Sequence, residues 1–462
     1  MQTRRRLMRT ALWAGAASVL PRALRGAAKA GPDKRPNLVV LFIDDLGWKD
    51  VRYRRGDHDT PCMDRLAAES MVFTDAYAVS PTCSPSRASL VTGQHPARLR
   101  IVRHIPGGDA FGRHVEAFHV RGADPARFPS RNWLPLSETT IAKALKPLGY
   151  RSAFVGKWHL GHEPYHPVRH GFDVQYGVSN YGHPIGGYYP PYFGPRCETY
   201  KDVPKDKYLT DQLTDDAVAY IAAADAERPF LLTLFYYAVH TPLQGRKDLL
   251  ARGRAKGRGG QKLQHAAMME AVDESVGRIR KALAAKGLAD RTVVLLLGDQ
   301  GSLLPGPPLR GGKRGGTALY EGGARVPFFV HWPGVTKAGA SSSVPVSTTD
   351  VFPTLLDIAG ARPADYPKLD GESLLPLLQR TGSLARKHVF LYRSYEGQYA
   401  AVRSGKWKLI AYRSGKAELY DLERDLSEST DLASKHPEQV KQLQAALAAW
   451  ERKVGVAMPG KS

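Results

Sequence analysis

The segment Asn37-Leu-Val-Val-Leu-Phe-Ile43 is apolar at every position after the first and ends abruptly in the acidic pair Asp44-Asp45. A strand with one wet face alternates apolar and polar residues, so an unbroken run predicts a strand buried on both faces. Phe230 to Tyr237, Thr292 to Leu297 and Val326 to His331 are runs of the same kind. Helical patterns at Ser137 to Leu148, Asp211 to Ala224 and Gln264 to Ala285 are interspersed with them. Strand alternating with helix predicts an α/β fold, a large mixed sheet sandwiched by helices. Ligands in open α/β sheets gather where strands end. Asp44-Asp45, His240 and Asp299-Gln300 each follow such a run, so three strand ends point their polar groups toward one site.

After about residue 380 the texture changes. Val389 to Tyr392, Tyr399 to Val402 and Trp407 to Tyr412 read as short strands, with turns at Ser404-Gly405 and Ser414-Gly415, before a helical pattern at Glu438 to Lys453. The expected organisation is a larger domain over 31–380 and a smaller C-terminal subdomain over 381–462, an antiparallel sheet plus a helix. Arg246 to Gln261, rich in Lys, Arg and Gly, reads as a mobile surface loop.

Arg4-Arg5-Arg6, the weakly apolar stretch Ala11 to Leu20 and Ala28-Lys29-Ala30 together resemble a twin-arginine export signal over 1–30. That address implies the twin-arginine machinery as a partner and a periplasmic or extracellular destination. No apolar run approaches the roughly 20 residues that span a bilayer. The net charge is +22, and removing the seven basic residues of 1–30, which hold no acid, leaves +15. A surface so basic suits polyanions. Nucleic acid is not expected, because zinc-finger spacing and RNP-like aromatics are missing. Three cysteines, Cys62, Cys83 and Cys197, are too few for a disulfide scaffold. Cys62 and Cys197 are expected as buried free thiols, with a bridge between them left open.

Cys83 sits in a patterned segment. Ser80-Pro-Thr-Cys83-Ser84-Pro85-Ser86-Arg87 contains C-x-P-x-R and runs on into Ala88-Ser-Leu-Val-Thr-Gly93. Asp44, Asp45, Asp299 and Gln300 all offer oxygen donors, which match a hard cation, Ca²⁺ before Mg²⁺. Either pair alone reads as well as a strand end or helix cap. Zinc is disfavoured there without a tight His/Cys set.

The extended Cys83 segment resembles the signature of the sulfatases, members of the alkaline-phosphatase-like superfamily. Gly156-Lys157-Trp158-His159-Leu160-Gly161, Val239-His240-Thr241-Pro242, Gly312-Lys313-Arg314-Gly315 and Tyr320 to Pro327 are similar to further segments of that family. The likeness covers roughly 36 to 380, with a continuation at Ala417 to Glu423. It implies a sulfuric ester hydrolase in which a dedicated generating enzyme oxidises Cys83 to formylglycine. The aldehyde hydrate provides an oxygen nucleophile, and its second hydroxyl then lets sulfate leave.

By the same resemblance Asp44, Asp45, modified Cys83 and Asp299 hold the metal, and Gln300 stands where the family has Asn. Lys157 and Lys313 hold sulfate oxygens, His159 contacts the formylglycine hydroxyl, His240 protonates the leaving oxygen, and Arg87 orients the nucleophile. Asp299 is the candidate acceptor of the attacking hydroxyl's proton. The aromatic segment Tyr176 to Phe193 offers rings either for sugar stacking or for loop packing. A sulfated carbohydrate is the expected substrate. A formylglycine-dependent phosphodiesterase or phosphonate hydrolase is the first alternative, and a noncatalytic receptor for sulfated glycans is the alternative of another class.

Overall fold

The computed structural model describes residues 35–54, 58–107, 115–118, 129–194, 199–393 and 397–456. The expected export signal and Cys197 lie outside the described residues. The apolar run Asn37–Ile43 is a strand at the middle of an eight-stranded sheet. It pairs in parallel with Phe230–Phe235 on one side and Thr292–Gly298 on the other. Arg151–Gly156 continues the sheet in parallel beyond Phe230–Phe235, and Val174–Tyr176 closes that edge. On the other flank Phe328–His331 runs antiparallel to Thr292–Gly298 and to Met71–Phe73, and Ala340–Ser342 forms the edge. The sheet is therefore mixed, as expected.

Because side chains alternate along a strand, an all-apolar strand feeds two cores. Leu38, Val40 and Phe42 pack with Leu90, Val91, Ile141, Leu145, Phe352 and Leu355. Val39, Leu41 and Ile43 pack on the opposite face with Met63, Leu66, Leu213, Ile221, Met268 and Val272. Each such fully buried side chain stabilises the fold by about 1.5–3 kcal/mol, so this strand is fixed from both sides. The long helix Gly260–Ala285 and the helix Leu209–Ala223 cover the second face. The helix Cys83–Thr92 lies on the first.

The C-terminal sheet is a four-stranded antiparallel meander of Val389–Tyr392, Gln398–Ser404, Trp407–Tyr412 and Ala417–Asp421. The helix Pro437–Val454 seals one face through Leu443, Leu447 and Trp450. The other face, with Leu391, Ala401, Ile410 and Tyr420, packs on Tyr77, Leu319, Tyr320 and Ala324 of the larger part. Among the described residues no helix is long and apolar enough to cross a membrane.

Two expectations fail. Arg246 to Gln261 contains the helix Lys247–Ala255 and the start of the long helix, in place of a mobile loop. Arg246 bonds Asp211, Asp248 and Glu274, and Leu249 is buried, so the basic residues are pinned by acids from neighbouring helices. Cys62 is free but only half-buried, at the start of the helix Pro61–Ala68, where its backbone N–H donates to Asp273. The pattern at Ser137 to Leu148 also begins late. Thr140 caps a helix over Ile141–Leu145, which tightens into a 3₁₀ turn at Lys146–Leu148, where Pro147 removes a donor.

Candidate active site

The strands deliver their ends together because pairing continues past the sheet. Asp44 N donates to Ala238 O at 3.1 Å, and Val239 N donates to Asp44 O at 2.7 Å, which locks the His240 loop to the acidic pair. Asp299 N donates to Ile43 O at 3.1 Å, and Lys157 N to Phe235 O at 2.7 Å. Gly156 permits the last contact: its φ is +97° and a Cβ would meet Phe235 O at 2.1 Å. Asp45 has φ +58° and His159 φ +55°, left-handed conformations that side chains other than glycine hold only when their surroundings dictate it.

Cys83 opens its helix, and Arg87 lies one turn on, on the same face. Arg87 is fully buried, donating to Asp299 Oδ2 at 2.9 Å and to Lys157 O at 2.7 Å, with Asp44 Oδ1 at 3.7 Å. The Cys83 sulfur is 3.5 Å from Asp44 Oδ1 and accepts from Gln300 Nε2 at 3.0 Å. Lys157 pairs with Asp44 Oδ2. Lys313 Nζ donates to Asp45 Oδ2 at 2.6 Å, and Gln300 Nε2 to Asp45 Oδ1 at 2.6 Å. Asp45 N donates to Asp299 Oδ1 at 3.0 Å. His159 bonds Ile105 O at 2.7 Å. Its ring fills the space beside Gly182, where a Cβ would approach within 2.2 Å. His240 is half-buried and turns Nδ1 toward Thr241 O at 2.8 Å. All ten residues singled out in the sequence thus meet in one place.

The cluster strongly biases protonation. Burial alone would raise Asp44, but Lys157, His240, Arg87 and Lys313 hold it well below the usual carboxylate range. Asp299 goes the other way, well above that range, because burial and the Asp44 charge outweigh Arg87. Burial and Asp44 would push the Cys83 thiol up, yet Lys157, Lys313 and a hydrogen bond from His240 hold it well below its ordinary value. His240 is raised: burial lowers it, and Asp45 with Asp44 more than compensates. His159 is pushed well down by burial and by Lys157. Lys157 and Lys313 thus favour negative charge at position 83.

The residues fit a hard cation. Asp44, Asp45 and Asp299 bring one oxygen each within 4.8 Å of one another. Gln300 Oε1, fully buried beside them, has no hydrogen-bond partner among the described residues. A buried amide oxygen without a donor is costly, and because Nε2 faces Asp45 and Cys83, a turned Gln300 amide would bring Oε1 to a cation held by the aspartates.

Above this floor opens a cavity of about 540 Å³ lined by Cys83, His159, His240, Gln300 and Lys313. Its walls add Arg103, His104, Tyr181, His183, Arg314 and Arg393, which sequence reasoning did not assign to the site. Arg393, from the loop after the first C-terminal strand, donates to Thr82 Oγ1 at 3.1 Å, and His183 stacks on His240 with ring centroids 5.7 Å apart. Of these wall residues, Tyr181 and His183 lie in the aromatic segment and Arg314 in the Gly312-Lys313-Arg314-Gly315 motif, whereas Arg103, His104 and Arg393 gave no signal in the sequence. Within the aromatic segment Tyr188, Tyr192 and Phe193 are core residues, whereas Tyr181 faces the cavity.

Residues 36–361 match the sulfatase family, and residues 314–453 match the C-terminal region of N-sulphoglucosamine sulphohydrolase. N-acetylgalactosamine-6-sulfatase of Rattus norvegicus is 32% identical over 406 residues, spanning 83% of this chain and 72% of the relative. Arylsulfatase G of Rattus norvegicus is 30% identical over 473 residues, spanning 87% and 84%. The crystal structure of Ps i-CgsB in complex with k-i-k-neocarrahexaose superimposes with a TM-score of 0.79 at 28% identity, covering 90% of this chain and 93% of that one.

Proposed function

This chain belongs to the formylglycine-dependent sulfatases of the alkaline-phosphatase-like superfamily, and from that premise we propose that it hydrolyses a sulfate monoester on a carbohydrate. The single observation that supports the assignment of roles is that Cys83, His240 and Lys313 line one cavity over three buried aspartates, one of which, Asp44, pairs with the buried Lys157.

Asp44, Asp45, Asp299, Gln300 and position 83 would hold a divalent cation, Ca²⁺ before Mg²⁺ on the oxygen donor set, and it would supply charge stabilisation for sulfate oxygen. Position 83, oxidised to formylglycine by a generating enzyme, would supply a hydroxyl nucleophile to sulfur and a carbonyl-forming exit for sulfate. The protein's own groups do the rest. Lys157 and Lys313 bind sulfate oxygens and are charge-matched to the ester. His240, whose affinity for a proton Asp45 and Asp44 raise against the effect of burial, gives its proton to the bridging oxygen as the sugar alcohol leaves. Asp299 accepts the attacking hydroxyl's proton, a role that requires Arg87 and the bound cation to keep its carboxylate ionised against the burial and the Asp44 charge that favour its protonated form. Arg87 orients Asp299 and the residue at 83. His159, held neutral, receives the proton when sulfate is released. One water is consumed, and the alcohol and sulfate are the products.

The carbohydrate assignment is supported by the relatives' names, by the sugar-bound relative structure, and by Tyr181 with Arg103, Arg314 and Arg393 around the mouth. Export is supported by residues 1–30: the chain folds, is modified and loads its cation before the twin-arginine machinery carries it across, and the functional chain is a catalytic domain over 31–380 with a C-terminal subdomain over 381–462. Desulfation of defined saccharides, with the freed position read by NMR, tests the reading. Turnover of sulfated sugars far above phosphodiesters at matched concentration is expected, and the reverse ranking would refute it.

A further inference from the structure

Asp50, His58 and His265 form a second cluster of metal-ligating groups, apart from the sulfate cavity, and their donor atoms lie within 4.8 Å of one another. Three separate elements bring them together. Asp50 ends the turn that follows Asp44-Asp45, His58 precedes the helix Pro61–Ala68, and His265 lies in the second turn of the long helix Gly260–Ala285. His58 Nε2 is 3.1 Å from His265 Nδ1 and 3.9 Å from Asp50 Oδ1. Donors around a tetrahedral zinc with bonds of about 2.0–2.1 Å stand about 3.3 Å apart, so these separations bracket the required spacing.

The cluster does not satisfy itself. His265 is 1% exposed, and its Nε2 has no hydrogen-bond partner among the described residues, facing Asp50 Oδ2 across 4.0 Å. That gap is too long for a hydrogen bond. The facing nitrogens of His58 and His265 must share a proton or a cation, since two lone pairs at that distance repel. Arg258 is paired with Glu270 at 3.1 Å and lies 3.8 Å from Asp59. Asp50 is meanwhile held in place by Gly47 N at 2.8 Å and by the Ser302 hydroxyl. A cavity of about 500 Å³, lined by Trp48, Lys262, Ser302 and Leu304 among others, leaves room for a water at a fourth position.

We propose that Asp50, His58 and one ring nitrogen of His265 form a zinc site. Two imidazoles and one carboxylate select a borderline transition ion, in contrast to the oxygen-only aspartate set. Asp50 is the ligand nearest the first acidic turn, and its own hydrogen bonds from Gly47 N and the Ser302 hydroxyl hold it there.

The full chain is stripped of metal, saturated with calcium, and titrated with Co²⁺ as the probe, with zinc as competitor. The expected result is the strong visible absorption of four- or five-coordinate cobalt, saturating at one per chain and displaced by zinc. In His58→Ala and, separately, His265→Gln, zinc binding weakens by more than about 100-fold while calcium binding is unchanged, since even an outer-sphere change costs 10–100-fold. Only the faint absorption of octahedral cobalt, a thiolate-to-cobalt band marking Cys83 as the ligand, or unchanged zinc affinity in both variants overturns the proposal. The wild-type cobalt spectrum decides the matter if a variant does not fold.

Discussion

Two of the buried charge clusters among the described residues are built differently. At the sulfate cavity Asp44, Asp45 and Asp299 face Arg87, Lys157 and Lys313, and Gln300 Oε1, Arg87 Nε and His159 Nδ1 find no hydrogen-bond partner among the described residues. Between the large sheet and the C-terminal sheet, Lys408 sits 2.7 Å from Glu321 and 2.9 Å from Glu428, Arg325 pairs with Glu321 at 2.5 Å, and Arg403 pairs with Asp75 at 2.8 Å. Tyr77 OH donates to Glu321 at 3.1 Å within this second cluster. The second cluster spends its charges on one another and joins two layers. The first leaves polar atoms unsatisfied beside an open cavity, the state expected of groups that wait for a ligand. Glu428 Oε1 in the second cluster also lacks a hydrogen bond and is met only by the Lys408 charge at 2.9 Å, so what separates the two clusters is that His159 and Gln300, with their unmet atoms, line a cavity.

That contrast breaks if the clusters respond alike to losing a lysine. In the cation-loaded protein, Lys313→Met is expected to cut kcat/KM on a sulfate ester by about 10³-fold, or about 4 kcal/mol of transition-state stabilisation, while Tm moves by no more than about 2 °C. Lys408→Met is expected to do the converse. Leaving Glu321 and Glu428 without their shared partner costs about 3–5 kcal/mol in denaturant unfolding, and kcat of the folded fraction stays within about threefold. A Lys408→Met protein of normal stability would show that the second cluster is not the joint described here.

Acid titration sharpens the comparison further. Burial works against Glu321, but Lys408 and Arg325 hold it at about 2, so its contribution is present above the unfolded value of 4.5 and is lost as pH falls from there toward 2. Glu428 is the opposite case, raised to about 7 by burial despite Lys408. Its folded form keeps a proton that the unfolded chain releases, so its contribution is complete below 4.5, declines up to about 7 and is flat beyond. Glu428→Gln removes that decline. Its stability relative to wild type is expected to rise by on the order of 2 kcal/mol between pH 4.5 and 7, read from urea midpoints, with no change in slope. A parallel pair of pH curves would contradict the assignment.

The sequence was most legible where one physical demand acted alone. Asn37–Ile43 and Thr292–Gly298 could be read as buried strands because both faces are apolar, and the acids after them follow from where such strands end. The ten candidate site residues came from the strand ends and from motifs around Cys83, Lys157, His240 and Lys313 that resemble those of the sulfatases, and the structure brings them together. Arg246 to Gln261 misled because composition says nothing about partners: its helix depends on Asp211, Glu270 and Glu274 arriving from other elements. Short strands such as Met71–Phe73 and Val174–Tyr176 carry too few residues for a period to show. Asp50, His58 and His265 were invisible for the same reason as Arg393. Their spacing in the chain follows no pattern, and only the packing of three elements makes them neighbours.

The central claim is that position 83 carries the nucleophile. The most direct measurement is sulfate monoester turnover by natively matured, cation-loaded protein, compared with Cys83→Ala prepared in the same way. A fall of at least about 10⁴-fold in kcat, with the variant folded, is the predicted result. Turnover by the alanine protein at a rate near that of wild type would contradict it.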